Sequence, residues 1–600
     1  MTRCEPPRTQ DRPQDRTYDR PPTLALLAEW AGGRYAGHPA LRFKTRSERG
    51  GWETVSYAGL RTLVRRCGRR LLDLGTAAGD RVAILSETRP EWTCAHLAVL
   101  AAGAVTVPVY PTAGEAELRW VLSDSAASLA LCENDAQAAR VEALRAAGAL
   151  PHLRHVLLLT DTPADAPAPH GAPLDDVLPL DDALAVDDAL AARAGSVRDE
   201  DDAAIVYTSG TTGPPKGCRL THRCLGATLD ATLPLQDGGP GDRTYLYLPL
   251  AHLLAQLTEF STLVRGGELC FFGGRIEDVV AELAEARPTH LPSVPRLFEK
   301  VHSAVLSLAQ SQEGGRERFE EAVRIGVLAA EGRLPDDLRA ACEEADERLY
   351  GPVREAFGGR LRWALTGAAP IAPATLDFLR ACGIAVYEGY GMTESGGVIS
   401  LNHPGAVRYG TVGRPIGGCE VDIADDGEIL ARGPAVFPGY HRDPEATAAV
   451  LDADGWLHTG DLGALDEDGF LTVTGRKKDL IITSSGKNLT PSHAELAIER
   501  APCVAHAVLA GDRRPYPVAL IAVDPDEVRG LGPDAVRFLV QQAVDAANAT
   551  LSRPARVRAF TVLDGGFSVE GGELTPTLKV RRRAVLEKYA DDVDRLYAEG

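Results

Sequence analysis

From Leu24 onward, apolar and polar positions follow two periods in turn. Spacing near 3.6 residues predicts helices over Tyr57 to Leu74 and Glu91 to Ala102, and short aliphatic runs predict strands at Arg81 to Leu85 and Val105 to Val109. Strands separated by helices of this length imply right-handed crossovers and a largely parallel sheet. The most apolar stretch, Ala95 to Tyr110, contains His96, Gly103 and Pro108 and falls short of the ~20 residues that cross a bilayer. It reads as a buried helix followed by a strand, and no transmembrane segment is expected.

The texture changes at several points. Met1 to Pro22 is rich in Arg, Asp, Pro and Gln without apolar period and reads as a disordered tail. Thr160 to Ala194 is rich in Pro, Ala and Asp, as a surface excursion would be, and Ser303 to Arg360 carries Glu and Arg at helical spacing, as a solvated helical insertion would. From Gly417 short alternating strands are punctuated by turns at Asp426-Gly427, Asp454-Gly455 and Asp468-Gly469, which predicts a twisted β subdomain. Gly475 to Pro491 separates it from a C-terminal portion with mixed strand and helix signals. The expectation is an α/β protein: a tail over 1–22, a large multi-subdomain N-terminal domain over 23–476 with mostly parallel sheets plus the β subdomain, and a smaller, mobile α+β domain over 477–600. A chain of 600 residues is too long for one core, which agrees.

The formal charge of -20 argues against a protein that coats nucleic acid. It leaves room for a local basic pocket. There are eight lysines, so a lysine inside a motif stands out from the arginine background. The 11 cysteines are scattered without a C-x-x-C pair and no secretory leader is evident, which points to a reduced, cytoplasmic compartment.

The strongest local signal is Tyr207-Thr-Ser-Gly-Thr-Thr-Gly-Pro-Pro-Lys-Gly217, after the strand-like run Ala203 to Val206. Thr208, Ser209, Thr211 and Thr212 supply hydroxyls, Gly210 and Gly213 permit close backbone approach, and Lys216 supplies positive charge, so the composition is that of a phosphate loop. It is not a Walker A loop, because two prolines precede Lys216 and Gly217 follows it. A shorter Gly/Thr-rich turn would read as an ordinary connection.

This segment resembles the phosphate loop of the adenylate-forming superfamily, which groups acyl-CoA synthetases, adenylation domains of peptide synthetases and firefly-type luciferases. Six further motifs occur downstream in the superfamily's order. Leu248-Pro-Leu-Ala-His252 resembles the border of the acyl pocket, and Thr366-Gly-Ala-Ala-Pro370, with Gly367 and Ala368, the segment beside adenine. Tyr387-Glu-Gly-Tyr-Gly-Met-Thr-Glu394 resembles the motif in which an aromatic ring flanks adenine, Thr393 approaches the α-phosphate and Glu394 holds magnesium. Within it the resemblance also carries Gly389, Tyr390 and Gly391 to the nucleotide. Gly455-Trp-Leu-His-Thr-Gly-Asp461 resembles the motif whose aspartate accepts from the ribose hydroxyls. Gly475-Arg-Lys-Lys-Asp479 resembles the hinge, with Arg476 near ribose and phosphate and Lys478 as pivot, and Leu574-Thr-Pro-Thr-Leu-Lys579 the motif of the catalytic lysine.

The resemblance implies ATP, CoA and a carboxylic acid as substrates, Mg²⁺ held by Glu394 with Thr208 nearby, and Lys579 contacting both the acid and the α-phosphate. It also implies a rotation about Lys478 that exchanges the Lys579 face for one bearing Ser485, Gly486 and Lys487 beside a CoA channel. Ser485 departs from the pattern, since long-chain synthetases usually have two glycines before the Lys-Asn pair. Ser293-Val-Pro-Arg-Leu-Phe-Glu-Lys-Val301 and the long insertion after it resemble long-chain fatty acid CoA ligases of the bubblegum-like and actinobacterial branch. That implies a fatty acid substrate, and peripheral membrane contact for its uptake is compatible with it. Two other functions use the same residues: an acyl-AMP ligase serving a carrier protein, and an inactive acyl-ligand sensor. Singly, Glu394 could cap a helix, Asp461 could sit in a turn and His252 could be a packed histidine with no chemical role.

Overall fold

The structure, a computed structural model, describes residues 19–44, 51–159, 172–173, 188–208, 214–484, 487–568, 571–575 and 579–598. Most of the expected tail, most of the excursion after Thr160, Ser209 to Gly213 of the phosphate loop, and Ser485-Gly486 lie outside the described residues.

Strands β1 (Pro39–Lys44) and β2 (Trp52–Ser56) form an antiparallel pair. Helix α1 (Tyr57–Asp73) follows, capped by the Ser56 hydroxyl, which accepts from Gly59 N–H. Then come β3 (Arg81–Leu85), α2 (Pro90–Ala101), β4 (Val105–Val109) and α3 (Glu115–Asp124), with the first three within a residue of the boundaries set by periodicity. Every residue from Trp92 to Ala101, and all of β4, is buried, which explains the apolar run. Strands β5 (Leu129–Cys132), β6 (His155–Leu158), β7 (Ala172–Pro173), β8 (Asp202–Thr208) and β9 (Lys216–Thr221) complete a seven-stranded sheet ordered β7-β6-β5-β3-β4-β8-β9. Its pairs are parallel except β8 with β9.

After α4 (His222–Thr232), strands β10 (Arg243–Leu246), β11 (Glu268–Phe271), β12 (His290–Ser293), β13 (Trp363–Thr366), β14 (Val386–Tyr390), β15 (Ser400–Leu401) and β16 (Arg414–Pro415) join the first hairpin. They form a nine-stranded sheet ordered β16-β15-β14-β13-β12-β10-β11-β1-β2, parallel from β14 to β1 and antiparallel at both edges. Helices α5 (Leu253–Arg265), α6 (Pro295–Gln310), α7 (Gly315–Ala330) and α8 (Pro373–Ala381) lie among its crossovers. One hydrophobic core runs between the two sheets through Trp92 and Phe260.

Three expectations need correction. The helical insertion is not simply solvated: α7 buries Phe319 and Ile325, and Gly326 sits so close to Ala381 of α8 that a Cβ there would lie 2.5 Å from the alanine methyl. The end of the Thr160 to Ala194 excursion is a helix, Asp188–Ser196, that buries Leu190 against Gly68 of α1. The tail's last residues are pinned, since Arg20 pairs with Asp230 of α4 at 2.6 Å.

Beyond the second sheet, β17 (Glu420–Ile423), β18 (Glu428–Arg432), β19 (Leu457–Leu465) and β20 (Leu471–Arg476) form an antiparallel sheet. Gly427, Gly455 and Gly469 take φ of 86°, 81° and 79°, the left-handed region that these turns require. A single 3-10 turn, Lys477–Asp479, leads into β21 (Ile481–Ile482) and β22 (Asn488–Leu489). Strands β23 (Val504–Ala510), β24 (Val518–Val523) and β25 (Phe560–Val562) then pack with α9 (Pro491–Ile498), α10 (Pro533–Thr550), α11 (Arg582–Lys588) and α12 (Ala590–Ala598). This portion has hydrophobic clusters of its own, centred on Ile498 and Val540 and on Leu520 and Val585. Among the described residues no helix is long and apolar enough to cross a membrane.

Candidate active site

A cavity of 1810 Å³ opens beyond the carboxyl ends of β8, β13 and β14, closed over by β19, β20 and the C-terminal domain. Ligands of parallel α/β sheets bind at such strand ends. Thr208 ends β8 and Lys216 begins β9, and the two are direct partners in the ladder, so both ends of the phosphate loop face the cavity. The Lys216 ammonium lies 5.1 Å from the centre of the Tyr440 ring.

Glu394 sits on the one-turn helix Thr393–Ser395 and is buried. The Tyr440 hydroxyl donates to its Oε1 at 2.8 Å, and Phe437 N–H donates to its backbone carbonyl at 2.9 Å. The segment bearing Tyr440 is itself fastened to β9, with His441 N–H on the Gly217 carbonyl at 2.7 Å. Gly391 leaves no room for a side chain, since a Cβ would meet the Gly397 carbonyl oxygen at 2.3 Å. Ala368 holds φ at 67°, an uncommon strain for an L-residue, where the chain turns along the cavity after β13.

Asp461 and Arg476 are register partners on β19 and β20, and the guanidinium donates to Asp461 Oδ1 at 2.9 Å. Tyr390 donates to Oδ2 at 2.8 Å, and burial beside this carboxylate pushes the phenol pKa up. Asp461 N–H is bonded to the Thr459 hydroxyl at 3.1 Å. The acid is thus fixed from its backbone and from both carboxylate oxygens.

Lys579 comes from the far end of the chain and lines the same cavity. It is exposed towards the cavity, yet protein surrounds it closely enough to lower the ammonium pKa. That desolvation is the main cause, Arg476 adds to it and Asp461 opposes it. Its backbone is set by reciprocal bonds with Thr575, at 3.0 Å to the hydroxyl and 2.8 Å from the amide. His252 caps α5, its Nδ1 accepting from Leu254 N–H at 3.2 Å, and burial together with the Lys579 charge lowers its pKa to about 4. The ring is neutral near pH 7 and carries its proton on Nε2.

Thr208, Lys216, His252, Gly367, Ala368, Gly389 to Gly391, Thr393, Glu394, Asp461, Arg476, Lys478 and Lys579 all line this cavity. Lys487 does not: it is exposed just before β22, with its N–H on the Thr483 hydroxyl at 3.2 Å. Several residues were not singled out from sequence. Tyr440 is one, and Glu388, whose pKa burial raises to about 7, is another. A third group belongs to α3, where Trp120 donates to the Pro215 carbonyl at 2.8 Å and Asp124 accepts from Tyr207 at 2.6 Å. One helix therefore grips the phosphate loop at both ends. Tyr207 and Pro215 belong to a motif already recognised, but nothing in the sequence pairs them with α3.

The sequence pattern described as AMP-binding enzyme matches residues 28–441, and that of the AMP-binding enzyme C-terminal domain matches 478–600. The chain belongs to the AMP-binding enzyme family. Among relatives in this family, Long-chain-fatty-acid--CoA ligase FadD15 of Mycobacterium bovis is 39% identical over 580 residues, covering 91% of this chain and 93% of its own. Long-chain-fatty-acid--CoA ligase ACSBG1 of Mus musculus is 30% identical, covering 97% and 86%. In fold, the adenylation domain of a carboxylate reductase from Mycobacterium chelonae superposes with a TM-score of 0.75 at 24% identity, covering 96% of this chain and 91% of that one.

Proposed function

We propose that this member of the family is a long-chain fatty acid CoA ligase, converting ATP, a fatty acid and CoA into acyl-CoA, AMP and pyrophosphate through an acyl adenylate. The observation that carries this reading is that Lys216, Glu394, Asp461 and Lys579, spread over most of the chain, share one cavity whose other wall is the leucine-bearing face of α5. The identity and coverage of FadD15 and ACSBG1 support the substrate class.

In the first half-reaction a carboxylate oxygen forms a bond to the α-phosphorus and the bond from that phosphorus to the β-phosphate bridge breaks, releasing pyrophosphate. Two anions must meet, so positioning and charge compensation dominate. Asp461 accepts from the ribose hydroxyls, Arg476 lies beside ribose and phosphate, and the segment Gly367-Ala368 lies along adenine with Tyr390. Lys216 and the phosphate loop hold the β- and γ-phosphates. Lys579 bridges the acid and the α-phosphate, and the neutral His252 offers Nε2–H at the mouth of the acyl branch.

A magnesium ion fits this donor set. Glu394 is a buried carboxylate lining the cavity, Thr208 lines it too, and a hard cation of this kind takes one or two protein oxygens and completes its shell with phosphates and water. Glu394 would hold it with Thr208 nearby, and the chemistry it supplies when bound is neutralisation of phosphate charge.

In the second half-reaction the CoA sulfur attacks the acyl carbonyl, the bond to AMP breaks, and the thiol proton leaves with AMP or solvent. Rotation about Lys478 would withdraw Lys579 and bring Ser485, Gly486 and Lys487 to the channel; that Lys579 lines the cavity while the exposed Lys487 does not supports two such states. The scattered cysteines, without a C-x-x-C pair, support a cytoplasmic setting. Peripheral contact with a membrane belongs to the reading as a route for a poorly soluble acid. Fatty-acid-dependent ATP–pyrophosphate exchange, followed by thioester assay with CoA and with a phosphopantetheinyl carrier, tests it. Exchange and transfer to CoA are expected; transfer to the carrier alone would make it an acyl-AMP ligase, and no exchange would make it a sensor.

A further inference from the structure

The acyl branch of the cavity has an end. One wall is the face of α5 that carries Leu254, Leu257, Thr258 and Ser261, spaced three or four residues apart, and the other carries Thr228 and Thr232 of α4. At its foot stand Pro292 of β12 and Trp363 of β13. The Trp363 ring is buried, packs against His290 at a tilt of 34° with centroids 4.4 Å apart, and donates from Nε1 to Asp237 Oδ1 at 2.8 Å. Asp237 is held in turn by Arg362 at 3.1 Å. A second, 20 Å³ cavity lies beyond, bounded by Thr258, Ser261, Pro292 and Trp363 again, with Arg265 and His290 at its back. Those four shared residues are a partition between the channel and a polar pocket with room for about one water.

Two routes measure the depth. From His252 to Ser261 the helix advances ~13 Å at ~1.5 Å per residue, and from Gly367 back to Trp363 the strand covers ~13 Å at ~3.3 Å per residue. A zigzag chain with bonds of about 1.5 Å and angles near 111° advances ~1.25 Å per carbon, so the channel holds roughly ten carbons beyond the carboxyl carbon, about eleven to twelve in all. We propose that Trp363 is the end-stop of the acyl channel, flanked by Ser261 and Thr258, and that it sets a preference for acyl chains of about twelve carbons. This deepens the ligase reading above and rests on it. A longer chain must either displace a ring fixed by its contact with His290 and by a hydrogen bond to a paired aspartate, or push methylenes against the polar groups behind it.

The test is kcat/KM for saturated acids from eight to eighteen carbons, with the intact enzyme, Trp363→Ala and Ser261→Phe. The intact enzyme should peak near twelve carbons. Trp363→Ala should merge the two spaces and move the peak by several carbons to longer acids, changing the ratio of sixteen- to twelve-carbon activity by at least ~10-fold, as one methylene in a shaped pocket already can. Ser261→Phe fills the channel from the helix side without emptying the core, and should move the peak to shorter acids. It therefore decides the matter if Trp363→Ala does not fold, which thermal unfolding will report. A profile that rises through eighteen carbons, or a peak unmoved by Ser261→Phe, overturns the end-stop alone. Absence of exchange with every acid overturns the ligase reading and the end-stop with it.

Discussion

On the N-terminal side of the cavity the acidic groups are held by neighbours fixed in strands and loops: Asp461 accepts from Tyr390 and Arg476, and Glu394 from Tyr440. On the C-terminal side Lys579 is set by its backbone bonds to Thr575, and its ammonium has no hydrogen-bonding partner among the described residues. Groups that act throughout the cycle gain from preorganisation, because nothing need reorganise as charge develops. A group needed for only one half-reaction gains from being carried on a separately folded unit that can leave. The contrast teaches where to expect separable effects: changes on the N-terminal wall should weaken nucleotide handling generally, and changes on the C-terminal side should split the two half-reactions.

The largest expected effect breaks the C-terminal side. Lys579→Ala should abolish acyl-AMP formation while leaving most of the thioester step when acyl adenylate is supplied ready-made. Equal loss in both steps would show that the lysine is not confined to adenylation. Next, Glu394→Gln should slow pyrophosphate exchange by ~10² and raise the magnesium concentration needed for half-maximal rate. An unchanged magnesium titration would remove its role. Asp461→Asn should act mainly on ATP, raising its KM by about ten-fold through loss of a charged acceptor, with less effect on kcat. The smallest effect sharpens the account of the phosphate loop. Trp120→Phe deletes one hydrogen bond to Pro215 and should raise the KM for ATP by only a few-fold, with the KM for the acid unchanged. An equal rise in both would mark a general loss of stability.

Much of the fold could be read directly. Helix α1 and strands β3 and β4 lie where periodicity puts them, because each buries a clean face or is buried throughout. The D-G turns were legible for a local reason, the positive φ that glycine supplies. The ends of the helical insertion were less so. Helix α6 starts at Pro295, where proline suits the first helical turn, before the charge pattern shows itself at Ser303. Motif residues could be named, but what holds them could not. The Asp461–Arg476 pair depends on hairpin register and on a bulge between Leu462 and Gly463, and Tyr440 reaches Glu394 from 46 residues away. Trp363 gave no signal, since its place at the foot of a channel is a fact about packing and not about its neighbours in sequence.

The most direct test of the divided wall is Lys478→Pro, assayed on one preparation for both pyrophosphate exchange and acyl-CoA formation, with thermal unfolding as control. Lys478 lies in the single 3-10 turn between β20 and β21, and the φ range typical of 3-10 turns includes the value proline fixes, so the arrangement with Lys579 in the cavity should survive while rotation is obstructed. The account predicts exchange largely retained and acyl-CoA formation sharply reduced. A parallel change in both rates, with folding intact, would contradict it.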